Sequence, residues 1–300
     1  MLRNLNLSKK FNLILILVVL GGITMSGLAF SAVLNEKAEN EVTSKAVLLM
    51  ETMSSVRNYT NNQINPLLEP RLETEAQFLP ETVPAYSARE VFENFRTNSK
   101  YKDFFYKEAT LNPSNLRDKA DNFETQLVEN LRKNTSLKEL SDYREYPSGK
   151  LFYIARPIVI SEQSCLRCHS TPAAAPKSQI ATYGSENGFG WKLNEIIGAQ
   201  VIYVPATEVI NSAHRSFLLF MAIVGAAFGM AILITNILLR VAVLRPINRM
   251  VKVANEVSTG NMDAEFEQNS NDEIGTLAAA FKRMKISLSM AMNMLNQRRG

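Results

Sequence analysis

The sequence predicts an α+β domain suspended between two membrane-spanning helices and followed by an all-α module that works as a paired bundle. Three observations predict it. Residues 11–34 and 216–239 contain no charged side chain. Between them, residues 151–160 and 199–204 are dense in β-branched and aromatic side chains, amid stretches with helical spacing. Beyond residue 244, apolar residues recur at intervals of three and four over two short runs.

Each uncharged run extends roughly 36 Å as a helix, against about 30 Å of hydrocarbon in a bilayer. The first also has the character of a secretory signal: Arg3, Lys9 and Lys10 precede it, and small residues lie around Ala29 and Ser31. Its apolar core is longer than a signal needs, so it is read as an uncleaved anchor. Arg240, Arg245, Arg249 and Lys252 follow the second run, and the positive-inside rule then places both tails in the cytoplasm. The expected order is a cytoplasmic head (1–10), a first span (11–34), a periplasmic domain (35–215), a second span (216–239), a cytoplasmic module (240–290) and a short tail (291–300). This is a two-pass protein of the inner (plasma) membrane, in contact with the lipid bilayer. The net charge is +4, and its excess of Lys and Arg sits on the membrane flanks. No basic face is left for a nucleic acid, and none is expected as a partner.

Residues 35–67 predict a long helix leaving the first span, with Ala38, Val42, Ala46, Leu49, Met53 and Val56 on one stripe. Residues 66–87 read as loop. A shorter helix is expected over 119–133, with Phe123, Leu127 and Leu131 on one face, after the turn Asn112-Pro113-Ser114-Asn115. Residues 151–160 and 199–204 are expected strands, separated by a cysteine segment and a glycine-rich loop at 183–191. From Pro205 a helix leads into the second span.

Both cysteines of the chain lie in Cys165-Leu166-Arg167-Cys168-His169, the C-x-x-C-H pattern of covalent c-type haem attachment. Two thiols at this spacing add across the two vinyl groups of one haem c, and the adjacent imidazole reaches the iron as proximal ligand. Three alternatives compete. Structural zinc takes about four ligands, and the chain has two cysteines and two histidines, the second being His214. A thioredoxin-like pair belongs in a βαβ unit, which the pattern does not show. A plain disulfide is chemically possible outside the cytoplasm.

With no third cysteine, the candidates for the distal iron position are Met50 or Met53, one helical turn apart on the first outer helix; an open or water-bound iron is the other option. Arg57 and Arg156 are the candidates for the haem propionates, because a guanidinium meets a carboxylate in bidentate fashion. Trp191 and Phe189 are candidates for packing on the porphyrin.

In the cytoplasmic module, Ile247, Met250, Ala254 and Val257 make one seam. Ile274, Leu277, Phe281, Met284, Leu288, Ala291 and Leu295 make a longer one. Two short seams joined by a connector containing Gly260 and Met262 are not buried by one chain, so a parallel four-helix bundle of a homodimer is expected. Gly225 and Gly229 form a G-x-x-x-G in the second span that allows close helix approach. The Pro246 entrance, the Gly260-x-Met262 connector and the Asp272-Glu273-Ile274-Gly275 helix opening resemble the HAMP signalling linker.

Residues 36–210 resemble the c-type haem sensor domains with a PAS-like fold of cyanobacteria and other bacteria. The matching stretches are LLMETMSSVRNYT, NPSN, LFYIARP, SCLRCH, and YG followed by GFGW and GAQVIYVP. The resemblance implies a haem-based redox or gas sensor attached through Cys165, Cys168 and proximal His169. Where a relative places a third cysteine on the iron, this chain has none. Two functions are weighed: a haem-based signal-transduction receptor that responds to redox state or a small diatomic ligand, and a membrane-anchored monohaem c-type cytochrome for electron transfer. No enzyme is expected, since neither histidine is cytoplasmic and no nucleotide-binding loop is visible. The output of a receptor would then pass to a separate effector such as a kinase.

Overall fold

The computed structural model describes residues 6–147, 149–266 and 270–299, the side chains of 295–299 excepted. Leu295, assigned above to the second seam, therefore lies outside the described side chains. The chain divides into two compact units: one runs from Ala32 to Ser216, and the other combines the N-terminal segment with everything from Phe217 onward.

The first unit is built on a four-stranded antiparallel sheet of order β1-β4-β3-β2, formed by β1 (Phe105–Thr110), β2 (Leu140–Tyr146), β3 (Gly149–Val159) and β4 (Ile196–Pro205). The two central strands are those expected from their apolar runs, because strands covered on both faces need apolar residues at almost every position. The two edge strands, FYKEAT and LSDYREY, were not anticipated. In β2 the polar residues meet solvent at the edge of the sheet, whereas β1 buries its polar Glu108 and Thr110.

One sheet face carries Tyr106, Phe152, Ile154, Ile202 and Val204. Helix α1 (Leu7–Tyr59) and helix α3 (Pro84–Arg96) cover it, contributing Val42, Ala46, Met50 and Met53 from α1 and Ala88 and Phe92 from α3. Helix α3 begins inside the stretch expected as loop. Met50 and Met53 are 0% and 2% exposed within this core, which corrects their assignment as candidate iron ligands: the α1 stripe that contains them is seated on the sheet. The opposite face, with Leu151, Tyr153, Val201 and Tyr203, is covered by Leu127, Val128 and Leu131 of α4 (Asn122–Lys133). Helix α4 starts three residues later than the periodicity suggests because Asp121 caps it. Its carboxylate accepts from Glu124 N at 2.8 Å while Glu124 Oε2 accepts from Asp121 N at 2.9 Å, a reciprocal capping box.

The end of α1 passes into a wide π turn (Thr60–Ile64), then α2 (Asn65–Leu68) and a 3₁₀ segment (Glu69–Glu73). A second π turn, Leu239–Leu244, joins α7 (Thr207–Leu238) to α8 (Arg245–Ser258). In each, the last i to i+5 bond is made by the residue before a proline: Asn65 N donates to Thr60 O, and Arg245 N to Arg240 O. Pro66 and Pro246 have no N–H to continue the regular ladder, and the wide turn absorbs the mismatch.

In the second unit, two helices are long and apolar enough to cross a membrane by length and composition. They touch where Phe30 stacks on Phe220 with ring centroids 4.0 Å apart. Gly22 packs beneath the Phe228 ring, where a methyl group would come within 2.9 Å. Gly225 and Gly229 have nothing within 4 Å of where a side chain would sit. After α8, which Gly260 ends at a φ of +102°, helix α9 (Glu273–Arg299) begins with Asp272 accepting from Ile274 N and Gly275 N at 3.1 and 3.0 Å. A side chain at Gly275 would run into the Ser270 carbonyl, which explains why the helix opening needs glycine. Met250 and Val257 are buried, whereas Leu277, Met284 and Leu288 on the longer seam are exposed.

Candidate functional site

Beyond β3, Ile160 ties its backbone to the entry of β4: its N–H donates to Glu195 O at 3.0 Å, and its carbonyl accepts from Asn194 N at 2.7 Å. The chain then makes the single-turn helix α5 (Cys165–His169). Three contacts hold this turn. The Arg167 guanidinium pairs with Glu69 and, at 2.6 Å, with Glu73 of the 3₁₀ segment. Gln179 Nε2, from α6 (Lys177–Tyr183), donates to Cys168 O at 2.9 Å. The glycine-rich loop folds back over the turn, with Gly190 N donating to Ser170 O and Trp191 N to His169 O.

The folded-back loop brings Trp191 flat onto His169, with centroids 3.8 Å apart, and sets the Gly188 carbonyl 2.7 Å from His169 Nδ1. A carbonyl only accepts, so Nδ1 carries the proton and the Nε2 lone pair is left for another partner. Burial lowers the His169 pKa, with the Gly188 bond opposing it, and the ring is neutral near pH 7. Both thiols are raised. Burial is the main cause in each: Glu162 adds to it at Cys165, and Cys168 is pushed up to about 11. Reactive redox cysteines have depressed pKa values; these two are held as thiols.

Cys165, Cys168, His169 and Trp191 all line one cavity of about 240 Å³. Leu72, Phe78, Ile158 and Ile197 make its apolar wall, and Arg57, Arg89, Glu108 and Asp118 its charged one. Three buried polar atoms on the lining, Arg89 Nε, Gln179 Oε1 and Ser114 Oγ, have no hydrogen-bond partner among the described residues. Two protonated thiols, an imidazole with a free Nε2, an apolar wall and unsatisfied polar atoms together suit a flat apolar group with a metal at its centre. Among the described residues, no group of three or more His, Cys, Asp or Glu is placed to hold a metal ion.

Arg57 stands on the cavity wall, but its guanidinium already pairs with Glu108. Tyr106 OH donates to the same carboxylate at 2.6 Å, and Gln200 Nε2 donates to that hydroxyl at 3.2 Å. Burial alone would lower the Arg57 pKa; the charges and hydrogen bonds of Glu108 and Tyr106 together outweigh it and the net shift is upward. Arg156 is not on the cavity lining. It lies between Glu51 and Glu139, at 2.7 and 2.9 Å, which corrects its assignment as a propionate partner: two carboxylates already occupy the guanidinium. Neither Met50 nor Met53 lines the cavity, and neither does Phe189. Sequence reasoning missed Gln179, Arg89 and Asn112. Asn112 was read as a turn residue, and its side chain in fact reaches the glycine loop.

The Tll0287-like family profile matches residues 35–205, more than half of the chain. The chain belongs to the Tll0287-like family. The HAMP domain profile matches residues 238–290, so the Tll0287-like domain is followed by HAMP, and the described residues form a mixed α+β domain plus helical elements. Among curated proteins, the chain is 25% identical over 112 residues to the methyl-accepting chemotaxis protein TlpA of Bacillus subtilis (strain 168). That match takes in 37% of this chain and 16% of the length of TlpA. Among solved structures, it is similar to the crystal structure of the cyanobacterial heme-protein Tll0287, with 18% identity, a TM-score of 0.41, and coverage of 55% of this chain and 95% of that one.

Proposed function

We propose that this Tll0287-like protein is a membrane-bound receptor whose sensor domain carries one covalently attached c-type haem. The observation that supports it best is Cys165, Cys168 and His169 on one cavity wall, with Nδ1 of His169 committed to Gly188 and Nε2 free. In this reading Cys165 and Cys168 supply the two thioether sulfurs, and His169 Nε2 is the proximal ligand. Trp191 restrains the imidazole plane by stacking, and Arg57 balances a propionate alongside Glu108. The bound group would supply an iron that changes oxidation state or takes up a small diatomic ligand. The chain's own residues hold the imidazole neutral, orient its free nitrogen, and keep the thiols protonated in a largely apolar cavity until attachment.

The rest of the reading follows from the chain's organisation. The sensor domain is PAS-like and periplasmic, the two apolar helices cross the inner membrane, and both termini are cytoplasmic. The exposed seam of α9, with Leu277, Met284 and Leu288, is covered by the same seam of a second copy, making a homodimeric HAMP bundle. A change at the cofactor shifts the sensor domain, and the continuous helices α1 and α7 transmit it to a bundle with two packings. The chain itself is not an enzyme; a separate effector such as a kinase reads the bundle.

The test is the mass and pyridine haemochrome spectrum of the full chain, produced with c-type haem attachment in the periplasm. A mass increased by one haem, with the haemochrome of a doubly thioether-linked haem, is the expected result. A mass equal to that of the bare polypeptide, without Soret absorbance, would sink it.

A further inference from the structure

We infer that Asn112 is the positioning residue for the imidazole of His169, acting through the backbone of the glycine loop. The side chain of Asn112 bridges the two peptide units that flank the Gly188–Phe189 peptide: its Oδ1 accepts from Gly188 N at 3.1 Å, and its Nδ2 donates to Phe189 O at 3.1 Å. Between those two bonds lies the Gly188 carbonyl, the acceptor 2.7 Å from His169 Nδ1. Gly188 has a φ of +82°, favourable only to glycine. A side chain there would meet the Ser114 hydroxyl and come within 2.8 Å of Ser114 Cα, so the loop rests directly on the Asn112-Pro113-Ser114 turn. That turn follows directly on β1 in the sheet. The peptide plane that fixes the tautomer of His169 is thus clamped by a side chain far away in sequence.

The chemical consequence is specific. A carbonyl held in line with Nδ1–H fixes the tautomer that presents Nε2 and makes that nitrogen a stronger donor; outer partners of this kind are typically worth about 10 to 100-fold in metal affinity or activity. Freed of the two Asn112 bonds, the Gly188 peptide can rotate, the Nδ1–H bond weakens, and Nε2–H becomes competitive. The importance of the contact for function rests on the haem reading above, but the contact itself does not.

The experiment uses the full chain in detergent with ¹⁵N-labelled histidine. The chain has two histidines, and a His214→Gln variant assigns them. In haem-free protein, two-bond ¹⁵N–¹H correlations are expected to show His169 as the Nδ1–H tautomer. Asn112→Ser keeps a residue that suits the first position of a turn but cannot span both peptide units; it is expected to raise the Nε2–H to Nδ1–H ratio by about tenfold or more. Asn112→Asp retains the acceptor for Gly188 N and is expected to lie closer to wild type. In haem-loaded chain, Asn112→Ser should shift the ratio of reduced to oxidised protein about tenfold upward at fixed ambient potential, about 59 mV for one electron.

A serine variant with a wild-type His169 pattern overturns the inference, as does an aspartate variant no closer to wild type than serine. Should the serine variant fail to fold, the wild type still decides: His169 found as the Nε2–H tautomer overturns it too. A chain that never takes up haem defeats the functional reading while leaving the tautomer measurable, so the two failures are distinguishable.

Discussion

Trp191 lies on His169 with the two rings only 12° from parallel. The indole closes one face of the imidazole and limits its rotation, and an aromatic pair of this kind is worth about 0.5–1.5 kcal/mol beyond the area it buries. Trp191→Leu is expected to lower the unfolding midpoint of the haem-free chain by an amount equivalent to about 1 kcal/mol and to broaden the His169 resonances. Trp191→Phe should recover most of both. Thermal melts of the full chain in detergent, alongside histidine-selective spectra, read the two effects together.

Arg57 and Glu108 form a largely buried pair on the cavity wall. Removing one partner strands the other, at a cost of roughly 3–5 kcal/mol, whereas replacing both with apolar residues is often neutral. Glu108→Gln should therefore melt well below wild type, and Arg57→Met combined with Glu108→Leu should recover most of the loss. A double variant that melts as low as the single would show that the ion pair itself, and not the stranded charge, carries the stability.

Met50 and Met53 pack against the sheet away from the cavity. Met50→Leu and Met53→Leu conserve volume and should leave both stability and the absorption spectrum of loaded protein unchanged. Met50→Ala opens a hole in the core and should cost about 2–5 kcal/mol. A spectral change in either leucine variant would return a methionine to the iron.

The cap of α4 predicts a pH dependence. Burial pushes the Asp121 carboxyl upward, but the Glu124 backbone N–H and the Arg144 guanidinium outweigh it, and its pKa lies below the ordinary aspartate value. A depressed folded pKa means the stabilising contribution is full above the unfolded value and is lost as pH falls through the folded one. Asp121→Ala should cost about 1 kcal/mol at pH 7. The gap from wild type should narrow below about pH 4, as seen in melts across that range.

Gly275→Ala places a methyl group against the Ser270 carbonyl and should disrupt the start of α9 at a cost of about 1–3 kcal/mol. If the protein is a receptor, this variant should load haem normally yet fail to change effector activity. An interchain disulfide across the α9 seam offers the complementary test: electron transfer would survive it and signalling would not.

How much of this was legible depended on whether a residue acts alone or by assembly. The C-x-x-C-H run that carries the proposed function lies within five residues, and β3 and β4 advertise themselves through apolar runs that only doubly covered strands require. The edge strands β1 and β2 are polar enough to pass for loop, and the capping Asp121 moves a boundary that periodicity alone leaves open. Met50 illustrates the opposite failure. Its thioether suits a metal or a core equally well, and only the seating of α1 on the sheet separates the two. Asn112 and Gln179 are uncharged polar residues whose partners lie far along the chain, and no local pattern distinguishes such side chains from solvated ones.

The widened turn at Leu239–Leu244 has a geometric effect on everything after it. One surplus residue takes up about 100° of arc in an α-helix, so tightening that loop to ordinary pitch would swing Met250 and Val257 through a similar angle around the rod's axis. Proline at 246 keeps the bulge in place, and the seam of α8 thereby faces a direction that a small backbone rearrangement, without any sliding along the helix axis, is enough to change.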